Sequence, residues 1–305
     1  MTAIKLGTRG SKLALWQAHA ARDALMAAFP DDPEPEIAVI KTTGDRVRDR
    51  PLSEIGGKGL FTKEIDKALF EGRIDAAVHS MKDVETWLTD GTALVSFLPR
   101  EDPREAFLST SATSLDGLPQ GASVGTASIR RTAQVLARRP DLEIVMLRGN
   151  VDTRLAKLQA GEMAATLLAI AGLKRLGRDS EAAAVLDPAD MLPAAGQGAI
   201  GFVCRADDTR TRERLEAIND IAAASEVTAE RAVLARLDGS CHTPIAALAR
   251  VNGESLHLDA MVLSTDGRQQ IAAASAGPLS DPAGLGDALG QDLLEQGARA
   301  LLAGT

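Results

Sequence analysis

Asp75-Ala76-Ala77-Val78-His79-Ser80-Met81-Lys82-Asp83-Val84 begins as a short apolar run and turns polar within a few residues. A run of that length, bounded by the turn residue Gly72 on one side and by hydroxyl and charged groups on the other, reads as a buried strand over 75–78. Working outward, Leu13, Trp16, Ala20 and Ala24 recur at helical spacing over 13–29, with Ser11 available as N-cap and Pro30 beyond the end. A strand over 37–40 and a helix over 62–70 fall between these segments. Such alternation implies βαβ units, and in α/β sheets ligands collect at the carboxyl ends of the strands. His79 to Val84 therefore lies at the expected ligand edge. Asp83 there is placed to stabilise a developing cation by charge and hydrogen bonding. A Lys82–Asp83 surface pair in a plain turn is the competing reading, and position alone does not decide between them.

The run Pro99-Arg100-Glu101-Asp102-Pro103-Arg104 interrupts the pattern with two prolines and mixed charge, as a hinge between domains would. A second α/β block follows, with strands expected over 123–124, 143–147 and 165–169 and helices starting near Ser128 and Asn150. After Pro193 come a strand over 199–204 and helices over 209–218 and 225–237. Three antiparallel strands, 245–251, 256–263 and 269–276, are joined by Asn252-Gly253 and Asp266-Gly267 turns and closed by one helix over about 282–302.

A chain of 305 residues exceeds what one hydrophobic core usually serves, so two or three domains are expected. Its formal charge of −8 argues against a nucleic-acid partner. No stretch approaches an apolar membrane span and the start lacks a signal pattern, so a cytoplasmic protein without membrane contact is expected. Cys204 and Cys241 are too few and too far apart for a disulfide framework or a four-ligand zinc site, so no metal is expected.

Two phosphate or nucleotide motifs fail on context. Gly196-Gln197-Gly198-Ala199-Ile200-Gly201 fits G-x-G-x-x-G literally, but a Pro-Ala stretch precedes it and a strand-like run follows, the reverse of a dinucleotide site. Gly56-Gly57-Lys58-Gly59 has Leu52 and Gly59 where a phosphate loop needs Gly and Ser or Thr. Arginine is the more informative residue. Gly125-Thr126-Ala127-Ser128-Ile129-Arg130-Arg131 sets two guanidiniums at a helix start, where they oppose the macrodipole and ask for a compensating anion. Leu147-Arg148-Gly149-Asn150-Val151-Asp152-Thr153-Arg154 repeats the arrangement, and Arg9 in Gly7-Thr8-Arg9-Gly10-Ser11 is the equivalent in the first block. Arg175 lies near a helix end, where a cation is favourable for structural reasons alone. The polar loop over 42–59, with Asp45, Arg46, Arg48, Arg50 and Lys58, is long enough for a lid or a disordered connection, and both stay open. Cys204 reads as an inert buried thiol. Cys241, in the loop-like Asp238-Gly239-Ser240-Cys241-His242-Thr243-Pro244, is a thiol exposed to a covalent adduct, with a structural role as its alternative.

Nearly end to end, these segments resemble the porphobilinogen deaminase, or hydroxymethylbilane synthase, family: Thr8-Arg9 to Trp16-Gln17, Gly56-Gly57-Lys58-Gly59-Leu60-Phe61, His79 to Val84, Arg100-Glu101-Asp102-Pro103-Arg104, Ser128 to Arg131, Leu147 to Asn150, Ala171 to Gly177, Gly196-Gln197-Gly198 and Gly239 to Pro244. The resemblance implies an α/β fold of two lobes like those of type II periplasmic binding proteins plus a small α+β C-terminal domain. The expected bounds are 1–98 with 199–216, then 104–193, then 221–305. It further implies a monomeric transferase whose Cys241 carries a dipyrromethane cofactor by a thioether. That primer is extended by four porphobilinogen units, each losing ammonia to become an electrophile attacked by the terminal ring, and hydrolysis releases hydroxymethylbilane.

By the same resemblance Asp83 is the catalytic residue, and Asp83, Lys82, Ser80, Thr126, Ser128, Arg130, Arg131 and Arg148 hold the cofactor with Cys241. Arg9, Ser11, Arg148, Arg154, Arg175 and Gln197 receive substrate, and Asp45, Lys58 and Phe61 belong to a mobile loop. The extended chain would carry about a dozen carboxylates, which bidentate guanidiniums suit. Glu54, Glu85 and Ala127 depart from the residues common in the family at those places. A non-catalytic two-lobed receptor for a polycarboxylate would also need the arginines, whereas only the enzyme needs the tethering thiol. A thiol-dependent acyl transferase would pair Cys241 with a base.

Overall fold

The computed structural model describes residues 2–42, 62–240 and 242–303. Cys241 and the loop positions Asp45, Glu54, Lys58 and Phe61 lie outside the described residues. The chain divides into two compact units, Met1–Glu101 with Ala199–Ala224, and Asp102–Gly198 with Ser225–Thr305.

In the first unit, β1 (Lys5–Thr8) leads to α1 (Lys12–Ala28), β2 (Glu36–Val39), α2 (Lys63–Phe70), β3 (Ala76–Ser80) and β4 (Thr92–Phe97). The chain later returns to it as β10 (Ile200–Arg205) and α6 (Thr209–Glu216). Ser11 caps α1 by accepting from the Ala14 N–H, and the helix buries Gln17, Ala18, Ala21 and Leu25 along one stripe. Strand order is β2-β1-β3-β10-β4. β2, β1 and β3 run parallel, while β10 pairs antiparallel with both β3 and β4. Because side chains alternate along a strand, Ala76 and Val78 of β3 face a core with Leu6, Ala21, Leu25 and Phe202, and Ala77 faces another with Ile65, Leu69 and Val203. Helices thus cover both faces of the sheet.

The second unit repeats that plan. It contains β5 (Glu105–Ser109), β6 (Ser123–Gly125), α3 (Ile129–Arg138), β7 (Glu143–Val145), α4 (Val151–Gln159), β8 (Ala165–Ala169), α5 (Ile170–Arg175) and β9 (Ala184–Val185). Strand order is β7-β6-β8-β5-β9: three parallel strands, then the antiparallel β5, then an edge strand. The same unit holds most of α7 (Ile221–Arg236), the antiparallel sheet β11 (Ile245–Asn252), β12 (Ser255–Leu263) and β13 (Gln270–Pro278), and the helices α8 (Pro282–Glu295) and α9 (Ala298–Leu302). α7 and α8 cover one face of this sheet through Ala229, Val233, Leu289 and Leu293 against Ala247, Leu256, Leu258 and Val262. The expected class holds: two mixed α/β sheets of one order and a small α+β part.

Several elements differ from the sequence reading. The single closing helix is two, because Gly297 at φ 101° ends α8 in the left-handed region that glycine tolerates. The strand expected over 143–147 stops at Val145. β1, β4, β5 and β9 were not anticipated, and the sheets are mixed because β5 and β10 run against the βαβ strands.

Candidate functional site

Parallel strands end at a common edge, so the sheet order decides which polar residues meet. In the first unit β1 and β3 are neighbours, and the segments after Thr8 and at Ser80 emerge side by side. Thr8 is wholly buried and its hydroxyl donates to the Ala14 carbonyl at 3.1 Å, fixing the turn that carries Arg9 and Ser11. Gln17, buried on α1, donates from Nε2 to Ser80 Oγ at 2.7 Å. Beyond Ser80 a short 3₁₀ turn, Met81–Asp83, is closed by the Val84 N–H on the Met81 carbonyl at 3.1 Å. Met81 is its anchor, 2% exposed, with its own N–H donating to Ala199 at 3.1 Å. The seat exists because position 201 is glycine: a Cβ there would stand 2.2 Å from Met81 Sδ. With Met81 held down, Lys82 is half-buried and Asp83 exposed.

His79 links this edge electrostatically. Burial pushes its imidazole down to about 4, Arg9 acts in the same direction and Asp83 opposes both. At neutral pH it is therefore an uncharged neighbour of Arg9 and Asp83. The structure brings Arg9, His79 and Asp83 together in one field, with Ser11, Ser80 and Lys82 on the adjoining backbone.

In the second unit the ends of β6, β7 and β8 carry Thr126 to Arg131, Arg148 to Arg154, and α5 with Arg175. Thr126 Oγ1 accepts from the Ser128 N–H at 3.1 Å, and Ser128 Oγ from the Arg131 N–H at 3.4 Å, which caps α3. Asn150 caps α4, accepting from the N–H and hydroxyl of Thr153 at 2.9 and 2.8 Å. Gly149 has φ 121°, and a Cβ there would stand 2.8 Å from Thr153 Cγ2, so the turn between Arg148 and the cap requires glycine. Arg154 Nε donates to the Gly149 carbonyl at 2.8 Å.

The anion that Arg130 and Arg131 ask for is supplied by the chain itself. Arg131 donates from Nε and Nη2 to the two oxygens of Glu105 at 3.2 and 2.8 Å, and Arg130 Nη2 donates to Glu105 Oε1 at 2.5 Å. Each also reaches a carbonyl, Arg131 Nη1 to Leu167 at 2.9 Å and Arg130 Nη1 to Leu192 at 2.8 Å. The side chains of Arg130, Arg131 and Glu105 are 6%, 7% and 0% exposed. Burial weakens Arg130's hold on its proton and Arg131 adds to that, while Glu105 opposes it. Gln197 is also wholly buried, its Nε2 donating to the Pro103 carbonyl at 2.7 Å, and Arg175 Nη2 donates to the Gly198 carbonyl at 2.6 Å.

Around position 241, the Ser240 N–H donates to Thr243 Oγ1 at 3.0 Å, and that hydroxyl donates to the Ser240 carbonyl at 2.7 Å. Cys204 is buried in β10, and burial pushes its thiol up to about 11. Sequence reasoning missed Glu105 and Gln17 as parts of these arrangements. Their common signal, a polar residue in an otherwise apolar segment, becomes readable only once register is known. Among the described residues no cluster of three or more His, Cys, Asp or Glu is arranged to hold a metal, and no helix is long and apolar enough to cross a membrane.

Comparison with known proteins shows two family matches: the porphobilinogen deaminase dipyromethane cofactor binding domain over residues 4–213, and the porphobilinogen deaminase C-terminal domain over residues 224–295. The porphobilinogen deaminase of Paracoccus denitrificans is 55% identical over 291 residues, covering 95% of this chain and 93% of that one. That of Nitrobacter hamburgensis is 52% identical over 292 residues, covering 95% and 92%. Among solved structures, a periplasmic substrate-binding protein of an ABC transporter from Coxiella burnetii aligns with a TM-score of 0.44 at 14% identity, covering 73% of this chain and 94% of that one. That likeness is too loose to carry a conclusion.

Proposed function

The chain belongs to the porphobilinogen deaminase family, and from that premise we propose how its residues share the work: Cys241 carries the covalent dipyrromethane, Asp83 manages the charge of the reaction, and the basic groups at the two sheet edges hold carboxylates. Its activity is that of a porphobilinogen deaminase of tetrapyrrole biosynthesis, and residues 4–213 are its dipyrromethane cofactor-binding domain.

The observation that carries this reading is the gathering of guanidiniums, a lysine and hydroxyls at the carboxyl edges of both sheets. The donor set fits a polycarboxylate cofactor, because in the buried trio two guanidiniums face one carboxylate and so favour a further anion. Ser80, Lys82, Asp83, Thr126, Ser128, Arg130, Arg131 and Arg148 are the residues assigned to holding it. When bound, the dipyrromethane supplies the nucleophilic pyrrole carbon on which porphobilinogen units are assembled.

Arg9, Ser11, Arg148, Arg154, Arg175 and Gln197 are assigned to orienting the acetate and propionate of porphobilinogen. As ammonia leaves the substrate, positive charge spreads onto its pyrrole ring. The Asp83 carboxylate accepts a hydrogen bond from the ring N–H, stabilises that charge and then handles the proton released when aromaticity returns. His79 suits this role by staying neutral, which leaves the charge of Asp83 undiminished by an imidazolium. We read the chain as three domains, 1–98 with 199–216, 104–193 and 221–305, acting as a cytoplasmic monomer.

Intact mass spectrometry tests the proposal. The purified protein is expected to exceed its polypeptide mass by a two-pyrrole increment, Cys241→Ser to lack it, and brief exposure to porphobilinogen to produce a ladder of equal additions. A polypeptide of unmodified mass that still makes hydroxymethylbilane at full rate would defeat the assignment of Cys241. Tight binding without turnover would favour the receptor instead.

A further inference from the structure

Glu105 faces the same sheet edge as the arginines for a topological reason. β5 runs antiparallel to β8, so the first residue of β5 lies beside the last residue of β8, Glu105 opposite Ala169. From there its carboxylate closes the Nε–Nη2 side of Arg131 and shares Oε1 with Arg130. Two guanidiniums sharing one buried carboxylate repel each other, and its charge offsets that repulsion. Without that charge each would seek water or a different anion.

We propose that Glu105 is a positioning residue, the internal carboxylate that holds Arg130 and Arg131 as one acid-binding pair and thereby sets how readily the protein takes up and retains its acidic cofactor. The idea rests on the assignment of those arginines to the dipyrromethane. Glu105 contacts no substrate in this account; it acts through the guanidiniums. Arg131 has its fork committed to Glu105 and its third nitrogen to Leu167, while Arg130 shares Glu105 Oε1 and reaches Leu192, so the trio as a whole keeps one excess positive charge.

The test uses the full-length protein with Glu105→Gln and Glu105→Asp, read by two measurements: the fraction of folded protein carrying the two-pyrrole mass increment, and the rise in Tm produced by added sulfate. Loading is expected to fall in the order wild type, Asp, Gln, with the ratio of loaded to unloaded folded protein roughly tenfold lower for Gln, the scale of losing a charged hydrogen bond. Sulfate is expected to raise the Tm of Glu105→Gln more than that of the wild type, because it replaces the missing anion. A purely structural role would lower Tm equally at every sulfate concentration and leave loading of the folded fraction unchanged, which would overturn the proposal. If Glu105→Gln does not fold, Glu105→Asp decides, since its shortened carboxylate reaches one guanidinium at a time: reduced loading supports the inference and wild-type loading overturns it. Arg131→Gln tests the arginine site independently of Glu105. Normal loading in that variant would refute the placement of the cofactor on the arginines, whatever Glu105 does.

Discussion

Glu230, wholly buried on α7, accepts the backbone N–H of Gly196 at 2.6 Å, and its other oxygen accepts that of Ala249 on β11 at 2.8 Å. One carboxylate thereby ties the helix that leads towards Cys241 to both the Gly196-Gln197-Gly198 loop and the antiparallel sheet. Glu230→Ala would leave two buried donors without this acceptor and is expected to cost about 3 kcal/mol or more. Glu230→Gln should cost less, because its amide oxygen still accepts one of them. Urea unfolding measures both, and a wild-type midpoint for Glu230→Ala would show that the loop finds other partners.

Asp83→Asn keeps the size of the side chain and removes its charge. The expected outcome is a fall in kcat of roughly 10²–10³, the scale seen when an electrostatic stabiliser is lost. KM should change little. Steady-state kinetics on porphobilinogen decide the matter, and a variant with near wild-type kcat would remove Asp83 from the chemistry.

His79 gives the protein an acid-sensitive core. Its folded-state pKa of about 4 lies below the ordinary histidine value of 6.5, so between these values the unfolded chain binds the proton and the folded chain does not. Stability from this group is complete above pH 6.5 and is lost as pH falls towards 4, by about 3 kcal/mol at most. Urea midpoints at pH 7, 5.5 and 4.5 should decline for the wild type and decline less for His79→Gln. Parallel declines would mean that other groups dominate.

Cys204 is expected to resist iodoacetamide at pH 8 in the folded protein, because its thiol is buried and pushed up to about 11. Labelling should appear on addition of denaturant, and peptide mapping locates it. Cys204→Ala is expected to retain the two-pyrrole increment. Loss of the increment in that variant would contradict the assignment of the tether to Cys241.

Ser96 on β4 is wholly buried, and among the described residues its hydroxyl has no hydrogen-bond partner. Ser96→Ala removes an unsatisfied polar atom and changes little else. Stability is expected to rise by about 1 kcal/mol. A clear loss in the urea midpoint would reveal a bridging water.

The helix starts were legible because capping is local: Ser11, Ser128 and Asn150 each bond a backbone N–H three residues on. β5 was not, since Glu105-Ala106-Phe107-Leu108-Ser109 follows a proline hinge and belongs to no βαβ alternation. The reading of α8 and α9 as one helix failed at Gly297, where apolar periodicity continues while the backbone does not. For Arg130 and Arg131 the sequence indicated that an anion was needed, and the structure identified one within the chain.

By itself the sequence determined the α/β class, the capped helix starts with their arginines, and the ordered motifs that mark the family, all of which depend on residues close to one another along the chain. Only the tertiary structure decided that β5 and β10 return antiparallel, and hence that Glu105 meets guanidiniums 25 and 26 residues away and that Gln197 is buried on the Pro103 carbonyl. The reason is physical: strand direction and register are set by which apolar faces pack and which backbone groups remain to be paired across the whole sheet, and no short window of residues contains that information.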